Sequence, residues 1–324
     1  MQTKGGMMRM TEKELYREAT KKIKECLERL KKTEPFIYTN LELITKIITK
    51  IPQTIISPNL IGPLPHSTTE QNIQLVREFF RSINPEYEKR FVKYYESDKI
   101  TMNSSEENIH LYKLENNEIK TTINIQKRET LKDALALVHE YFHELNVNLL
   151  DYRQNLTESI SITAELLFLE FLKTKGVSEY DLDLLLSDRK KFFRFNTNTL
   201  NILLPILMTV KEGGDCDETI YDKYLFKYIR KETYHKFINN EIIKPDYKNI
   251  IRHVATFRHT IGTIGACNFC SKDKKEELYK ANEYLREDNI KGFEDLIVKY
   301  MFEDNSIENV IQELNKYHPK KYIK

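Results

Sequence analysis

Hydrophobic positions in the first half of the chain recur mostly at helical spacing. In residues 11–32, Leu15, Ala19, Ile23, Cys26 or Leu27, and Leu30 share one face, and Thr11 with Glu14 makes a capping box at its start. A second helix is expected over 40–51, stopped by Pro52. Residues 52–66 hold four prolines and one glycine and read as a loop, because each proline removes a donor and restricts its neighbour. Residues 69–97 read as two helices broken near Asn84-Pro85. The period then changes. Ile109, Leu111 and Leu114 precede the turn signal Glu115-Asn116-Asn117, and Ile119, Thr121, Ile123 and Ile125 alternate as a half-buried strand should. A β-hairpin over 107–126 is the expectation. From Glu129 onward the pattern is helical again, over 130–148, 156–175, 179–195, 197–211, 217–239, 247–266, 273–287, 290–303 and 305–316, with Gly213-Gly214 and Pro245 as breaks.

Composition agrees with a mainly α fold. Only 9 Gly and 9 Pro occur in 324 residues, too few for the turns of a sandwich or barrel. The 40% hydrophobic and 31% charged fractions describe a globular chain rather than a disordered one. Its 51 basic and 49 acidic side chains leave a formal +2, which offers no electrostatic footprint for nucleic acid or an anionic membrane. Cys26, Cys216, Cys267 and Cys270 are no disulfide framework and suit a reducing compartment. The N-terminus lacks an apolar signal core, and the most apolar stretch, near Leu200–Val210, is short for a membrane span. A cytoplasmic protein is expected, beginning at Met1 or at Met7, Met8 or Met10. Two lobes, 1–100 and 101–324, or one continuous domain, would accommodate this length.

Chemistry concentrates in ALVHEYFHEL, residues 136–145. His139 and His143 stand four apart, so on a helix both imidazoles share a face and reach one Zn²⁺, while Glu140 reaches water beside it. No Pro or Gly interrupts 131–150. The competing reading is a helix with two hydrogen-bonded histidines. A zinc site of this kind needs a third protein ligand, and LTESISITAELLFLEF (156–171) supplies candidates. Glu158 and Glu165 are seven apart, on one face with Ser161, in a segment otherwise apolar enough to be buried. A carboxylate on a buried helix must be paired or bound to a cation. Glu158 as ligand and Glu165 as partner to a histidine N–H satisfies that rule; Glu165 as the ligand, or both pointing to water, are the alternatives.

TLKDALALVHEYFHELN followed by ESISITAE resembles the thimet oligopeptidase and oligoendopeptidase F family of zinc metallopeptidases, whose HExGHxxH helix precedes an ExxSxxxE helix. The resemblance implies a zincin-like helical fold with a small β-hairpin or sheet before the HExxH helix. It also implies one Zn²⁺ held by His139, His143 and Glu158, with Glu140 as general base and Ser161 and Glu165 as supporting positions. Phe142 stands where the family has Gly, Asn146 where it has a further His, and Glu144 where an uncharged residue is usual. The His143–Glu158 gap is shorter than the family's, and the chain is about half its usual length. The family's edge strand binds extended peptide by β-addition, and residues 118–126 sit where that edge would. Near the C-terminus, RHVATFRHTIGTIGA (252–266) resembles the family's carbonyl-polarising segment, with His253 and His259 at the spacing of its His and first Tyr. Two surface histidines are the bland alternative.

The expected activity is hydrolysis of peptide bonds in short unstructured peptides, with Glu140 taking a proton from water and delivering it to the leaving amine. A zinc hydrolase of non-peptide amides, or a helical scaffold without metal, are the alternatives. Cys267-Asn268-Phe269-Cys270 lacks a second pair for a closed zinc site and reads as two buried, inert thiols after a helix. RKKFFRF (189–195) reads as a charged face beside a core stripe rather than a nucleic-acid site.

Overall fold

Capping explains where the first helices begin. In a computed structural model of the chain, Thr11 and Glu14 form the expected capping box of α1 (Glu12–Thr33), and Thr68 with Gln71 forms another at α4 (Thr69–Ile83). Asn84 caps α5 (Pro85–Glu96), with Pro85 where a missing N–H costs nothing. The structure describes residues 11–51, 60–103, 108–115, 118–146, 154–226, 229–243, 247–270, 276, 278, 280, 281, 283, 284, 287, 289–301 and 306–318. Most of the proline-rich stretch, the hairpin turn at Asn116-Asn117 and most of 273–287 lie outside them.

The chain packs as two units, one of residues 1–50 and 197–257, the other of 51–196 and 258–324. These units do not follow a boundary near residue 100. The reason lies in the aromatic packing of α4 and α5, which binds them to the HExxH helix: Phe80 and Phe91 lie 5.0 and 5.1 Å from Tyr141 between ring centres.

In the first unit, α1 buries Ala19, Ile23, Leu27 and Leu30. Against it lies a π-helical stretch, Ile238–Ile243, that continues α10 (Lys231–Phe237). The single helix expected over 40–51 is α3 (Leu41–Ile48), preceded by a short α2 (Pro35–Thr39). Residues 217–239 are not one helix but α9 (Glu218–Ile220), a π-helical turn at Tyr221–Leu225, and α10. Cross-links within this unit are polar as well as apolar. Cys216 N–H donates to Thr20 Oγ1 at 2.8 Å, and Lys211 Nζ donates to the Tyr38 carbonyl at 2.7 Å.

The second unit carries the sheet. Among the described residues it has three strands in the order β1 (Ile100–Asn103), β3 (Glu118–Gln126), β2 (Ile109–Glu115). The expected hairpin is β2–β3, antiparallel, with His110 opposite Ile123. Four-residue β1 pairs parallel to β3, Ile100 opposite Ile123, and is too short to announce itself by alternation. Its presence corrects one expectation in part: β1 occupies the second side of β3 from Ile123 to Gln126, so that half of 118–126 is not a free edge for a peptide, while Glu118–Thr122 pair with β2 alone among the described residues. Thr121, Ile123 and Ile125 are buried on alternate positions, as the sequence pattern requires.

β3 leads directly into α6 (Leu131–Leu145). The junction is held by buried Asp133, whose carboxylate accepts from the backbone N–H groups of Arg128 and Glu129 at 2.9 to 3.1 Å. That grip supports Glu129 at a φ of 55°, a left-handed conformation uncommon for a residue with a Cβ. Next come α7 (Gln154–Thr174) and α8 (Glu179–Lys211). Residues 179–195 and 197–211 are therefore one helix. Nothing at Asn196-Thr197 breaks it, and both residues are buried. α11 (Tyr247–Cys270), α12 (Ile290–Met301) and α13 (Ser306–Asn315) follow. α8 and α11 contribute residues to both units. Cys267 and Cys270 lie inside the last turns of α11, buried and without a disulfide. The molecule is mostly helical with a small sheet before α6, and no described helix is long and apolar enough to cross a membrane.

Candidate active site

α6 divides its side chains between two tasks. Tyr141 and Phe142 face the core, Phe142 fully buried and 5.9 and 6.0 Å from Phe80 and Tyr87 between ring centres. His139, Glu140 and His143 lie on another face and stay partly accessible. Each departure from the resembling family thus has a local partner. Phe142 fills core space. Glu144 Oε2 lies 2.9 Å from His110 Nε2 on β2. Asn146 donates from Nδ2 to the Phe142 carbonyl at 2.7 Å and caps the helix.

α7 brings its glutamates to the same histidines. The two Nε2 atoms of His139 and His143 are 3.1 Å apart. Glu158 Oε1 lies 3.4 Å from His143 Nε2, and Oε2 lies 3.6 Å from His139 Nε2. One ligand atom from each of His139, His143 and Glu158 lies within 4.8 Å of the others. Glu165 sits on the opposite side of the His139 ring, its Oε1 2.6 Å from Nδ1. Ser161 is buried, and its hydroxyl makes no hydrogen bond among the described residues.

His259, on α11, places Nδ1 3.3 Å from Glu158 Oε2 and meets the Phe192 ring edge-on at 5.2 Å. His253 lies on the same helix, but its side chain is outside the described residues. A cavity of about 310 Å³ opens beside His139, Glu140, Glu165 and His259, with Leu135, Ala136, Leu185 and Phe192 supplying apolar wall.

The sequence reading missed Arg189. Instead of a solvated charge, it is an inward-facing side chain with Nη2 2.5 Å and Nε 3.3 Å from the two oxygens of Glu165. Neighbouring Lys190 is fully buried, paired with Asp183, which His318 Nδ1 approaches to 3.0 Å. Only Phe192 and Phe195 of that stretch are exposed large apolar groups. Helical spacing around 179–195 put Arg189 near the Leu182–Leu185–Leu186 stripe, the one signal that pointed inward.

Electrostatics follow from burying these charges together. Burial alone would favour neutral His139, but Glu165, then Glu158 and Glu140, outweigh it and carry its pKa to about 9. Burial would likewise raise Glu165, yet Arg189 and His139 hold it at about 2. Burial opposes the charge on Glu158 too, and His143 and His259 overcome it, holding the carboxyl well below its usual range.

The approach of α11 to α7 depends on glycine. A Cβ on Gly262 would lie 2.7 Å from Glu158 Cβ and 3.1 Å from its backbone carbon. On an exposed helix Gly→Ala would stabilise by about 1 kcal/mol. Here overpacking costs about 1–3 kcal/mol and reverses the sign. Gly262→Ala is therefore expected to lower the melting temperature and displace Glu158 from the histidines; an unchanged or raised melting temperature would contradict this packing.

No protein-family model matches the chain, and no curated protein matches it in sequence. Solved structures do match. A candidate peptidase of Chlamydophila abortus aligns over 92% of this chain and 54% of its own, with TM-score 0.52 and 15% identity. PZ peptidase A, in a structure with an inhibitor, aligns over 92% of this chain and 58% of its own, with TM-score 0.50 and 14% identity. A candidate oligoendopeptidase F of Bacillus anthracis str. Ames aligns over 93% of this chain and 57% of its own at TM-score 0.48 and 15% identity, too loosely to carry an argument. The likeness to the first two is one of fold: this chain has the fold of peptidase structures and spans little more than half of their length.

Proposed function

We propose that this chain is a zinc-dependent peptidase acting on short peptides, with His139, His143 and Glu158 holding one zinc ion. The observation that carries this reading is the convergence of two imidazoles and a carboxylate within 4.8 Å, with Glu140 on the wall of the adjoining cavity. The residues fit the ion. Glu158 Oε2 is buried and makes no aligned hydrogen bond, and two imidazole nitrogens with a carboxylate oxygen are a donor set suited to zinc. The basic His139 adds to the fit: among these carboxylates a divalent cation takes the place of the imidazolium proton, so uptake of metal releases a proton and weakens as pH falls.

Bound zinc supplies Lewis acidity, polarising an amide carbonyl and acidifying water near neutral pH. The protein's own groups do the rest. Glu165 Oε1, 2.6 Å from Nδ1 of His139, holds that edge of the ring by charge and so leaves Nε2 facing His143 and Glu158. Glu140 takes a proton from the attacking water and returns it to the leaving nitrogen. Leu135, Ala136, Leu185 and Phe192 give the cavity an apolar wall. His259 polarises the scissile carbonyl from the side of Glu158.

The test pairs two measurements on purified protein, metal content and hydrolysis of a quenched peptide library. Stoichiometric zinc with chelator-sensitive cleavage is expected. Zinc with cleavage of other amides only would favour a non-peptide hydrolase, and absence of both would favour a scaffold. His259→Phe is expected to lower kcat about 100-fold with zinc retained. Zinc lost in parallel would assign His259 to holding Glu158 instead, and a wild-type rate would remove it from the chemistry.

A further inference from the structure

We infer that Arg189 is a positioning residue of this site: its guanidinium orients Glu165, and Glu165 in turn fixes the ring of His139. The inference rests on the metallopeptidase reading and assigns a role to a residue outside the histidine and glutamate motifs.

Three helices are joined by one carboxylate. Arg189 of α8 contacts both oxygens of Glu165 of α7, through Nη2 at 2.5 Å and Nε at 3.3 Å. The same Oε1 lies 2.6 Å from Nδ1 of His139 on α6. Arg189 and Glu165 are only 15% and 10% exposed in their side chains, so water does little of this work. Among the described residues, Arg189 and His139 are the only charged partners of Glu165.

The two partners ask different things of it. The planar fork of Arg189 sets the plane of the carboxylate, which a lysine point charge does not do. Once set, Oε1 points at Nδ1, and the opposite edge of the ring, Nε2, points at His143 and Glu158. Without the guanidinium, Glu165 would be a buried carboxylate with one imidazole for company, and such a group takes up a proton or turns away. Either outcome frees the ring of His139. Arg189 also lines the cavity beside His139, Glu140 and His259, but its guanidinium hydrogen bonds go to Glu165, on the Nδ1 side of that ring, and its action is assigned through Glu165.

The experiment measures metal binding rather than turnover. Arg189→Met, Arg189→Lys, Glu165→Gln and the two Arg189 variants in the Glu165→Gln background are titrated with zinc against a chromophoric chelator. Cobalt(II) absorption spectra report ligand geometry, and circular dichroism reports the fold. Arg189→Met is expected to weaken zinc by about 10–100-fold, as outer partners of metal ligands typically do. It should also shift the cobalt bands with the helical signal retained. Arg189→Lys should fall between it and wild type. In the Glu165→Gln background either Arg189 change should add little, because the carboxylate it orients is gone. Equal losses in both backgrounds, or unchanged affinity and cobalt bands, would overturn the inference. If Arg189→Met does not fold, the Arg189→Lys pair carries the same comparison. Wild-type protein that binds neither metal would overturn the metallopeptidase reading, and this inference with it; metal bound normally by wild type and variants alike overturns the inference alone.

Discussion

Glu140→Gln keeps its zinc and loses about 10³–10⁴-fold in kcat, the upper part of the range for a removed general base. The amide copies the size of the carboxyl and its hydrogen-bonding reach, but it does not accept a proton near neutral pH. Glu140 is absent from the converging set of His139, His143 and Glu158, and it lines the cavity next to them. Metal content should therefore match wild type. The position on α6 argues the same way. Glu140 neighbours a proposed ligand yet is not buried, so the substitution leaves the Tyr141 and Phe142 packing untouched. Steady-state kinetics with metal analysis on the same sample checks both halves. A variant with near-normal hydrolysis would remove Glu140 from the mechanism, and one that lost its zinc would make it a ligand.

Glu158→Ala is expected to strip the metal, weakening zinc by more than the about 10–100-fold expected of Glu165→Ala. The distinction rests on which edge of each imidazole the carboxylates meet. The Nε2 atoms of both histidines face each other, and Glu158 lies on that side. Glu165 meets Nδ1 of His139, on the far side of the ring. A ligand shared by both histidines must come from the Nε2 side. Competition with a chelator ranks the two variants. Should Glu165→Ala release zinc while Glu158→Ala retains it, their roles are exchanged. Activity alone would not separate them, because both variants are expected to be slow.

The histidine pair was legible in the sequence because helical spacing is local. Four residues on an uninterrupted helix put two side chains on one face whatever else the chain does. Glu158 and Glu165 were legible for a related reason: seven residues are two turns, and an apolar helix does not bury carboxylates without a partner. Which glutamate faces which nitrogen depends on how α7 lies across α6, and no pattern within either segment carries that. Arg189 was misread for the same cause. A run of basic and aromatic residues looks like a solvated face until a buried anion on another helix is placed beside it.

The sheet divides along the same line. Alternation in 118–126 announced a strand and its buried side, because period two is a property of the strand itself. Its place in the middle of the sheet came from β1, four residues with too little pattern to be seen and defined only by their pairing. The close approach that Gly262 permits is invisible in the same way: a glycine in a helix reads as a weakness until Glu158 is found 2.7 Å from where its Cβ would be. By itself the sequence determined the helices, the hairpin, the ligand-type residues and their shared faces, all consequences of backbone periodicity and the cost of burying charge. Only the tertiary structure decided the partners: the edge of each imidazole that a carboxylate meets, the cation behind Glu165, and the two packing units. Those are relations between segments far apart in the chain, decided by how their faces pack together.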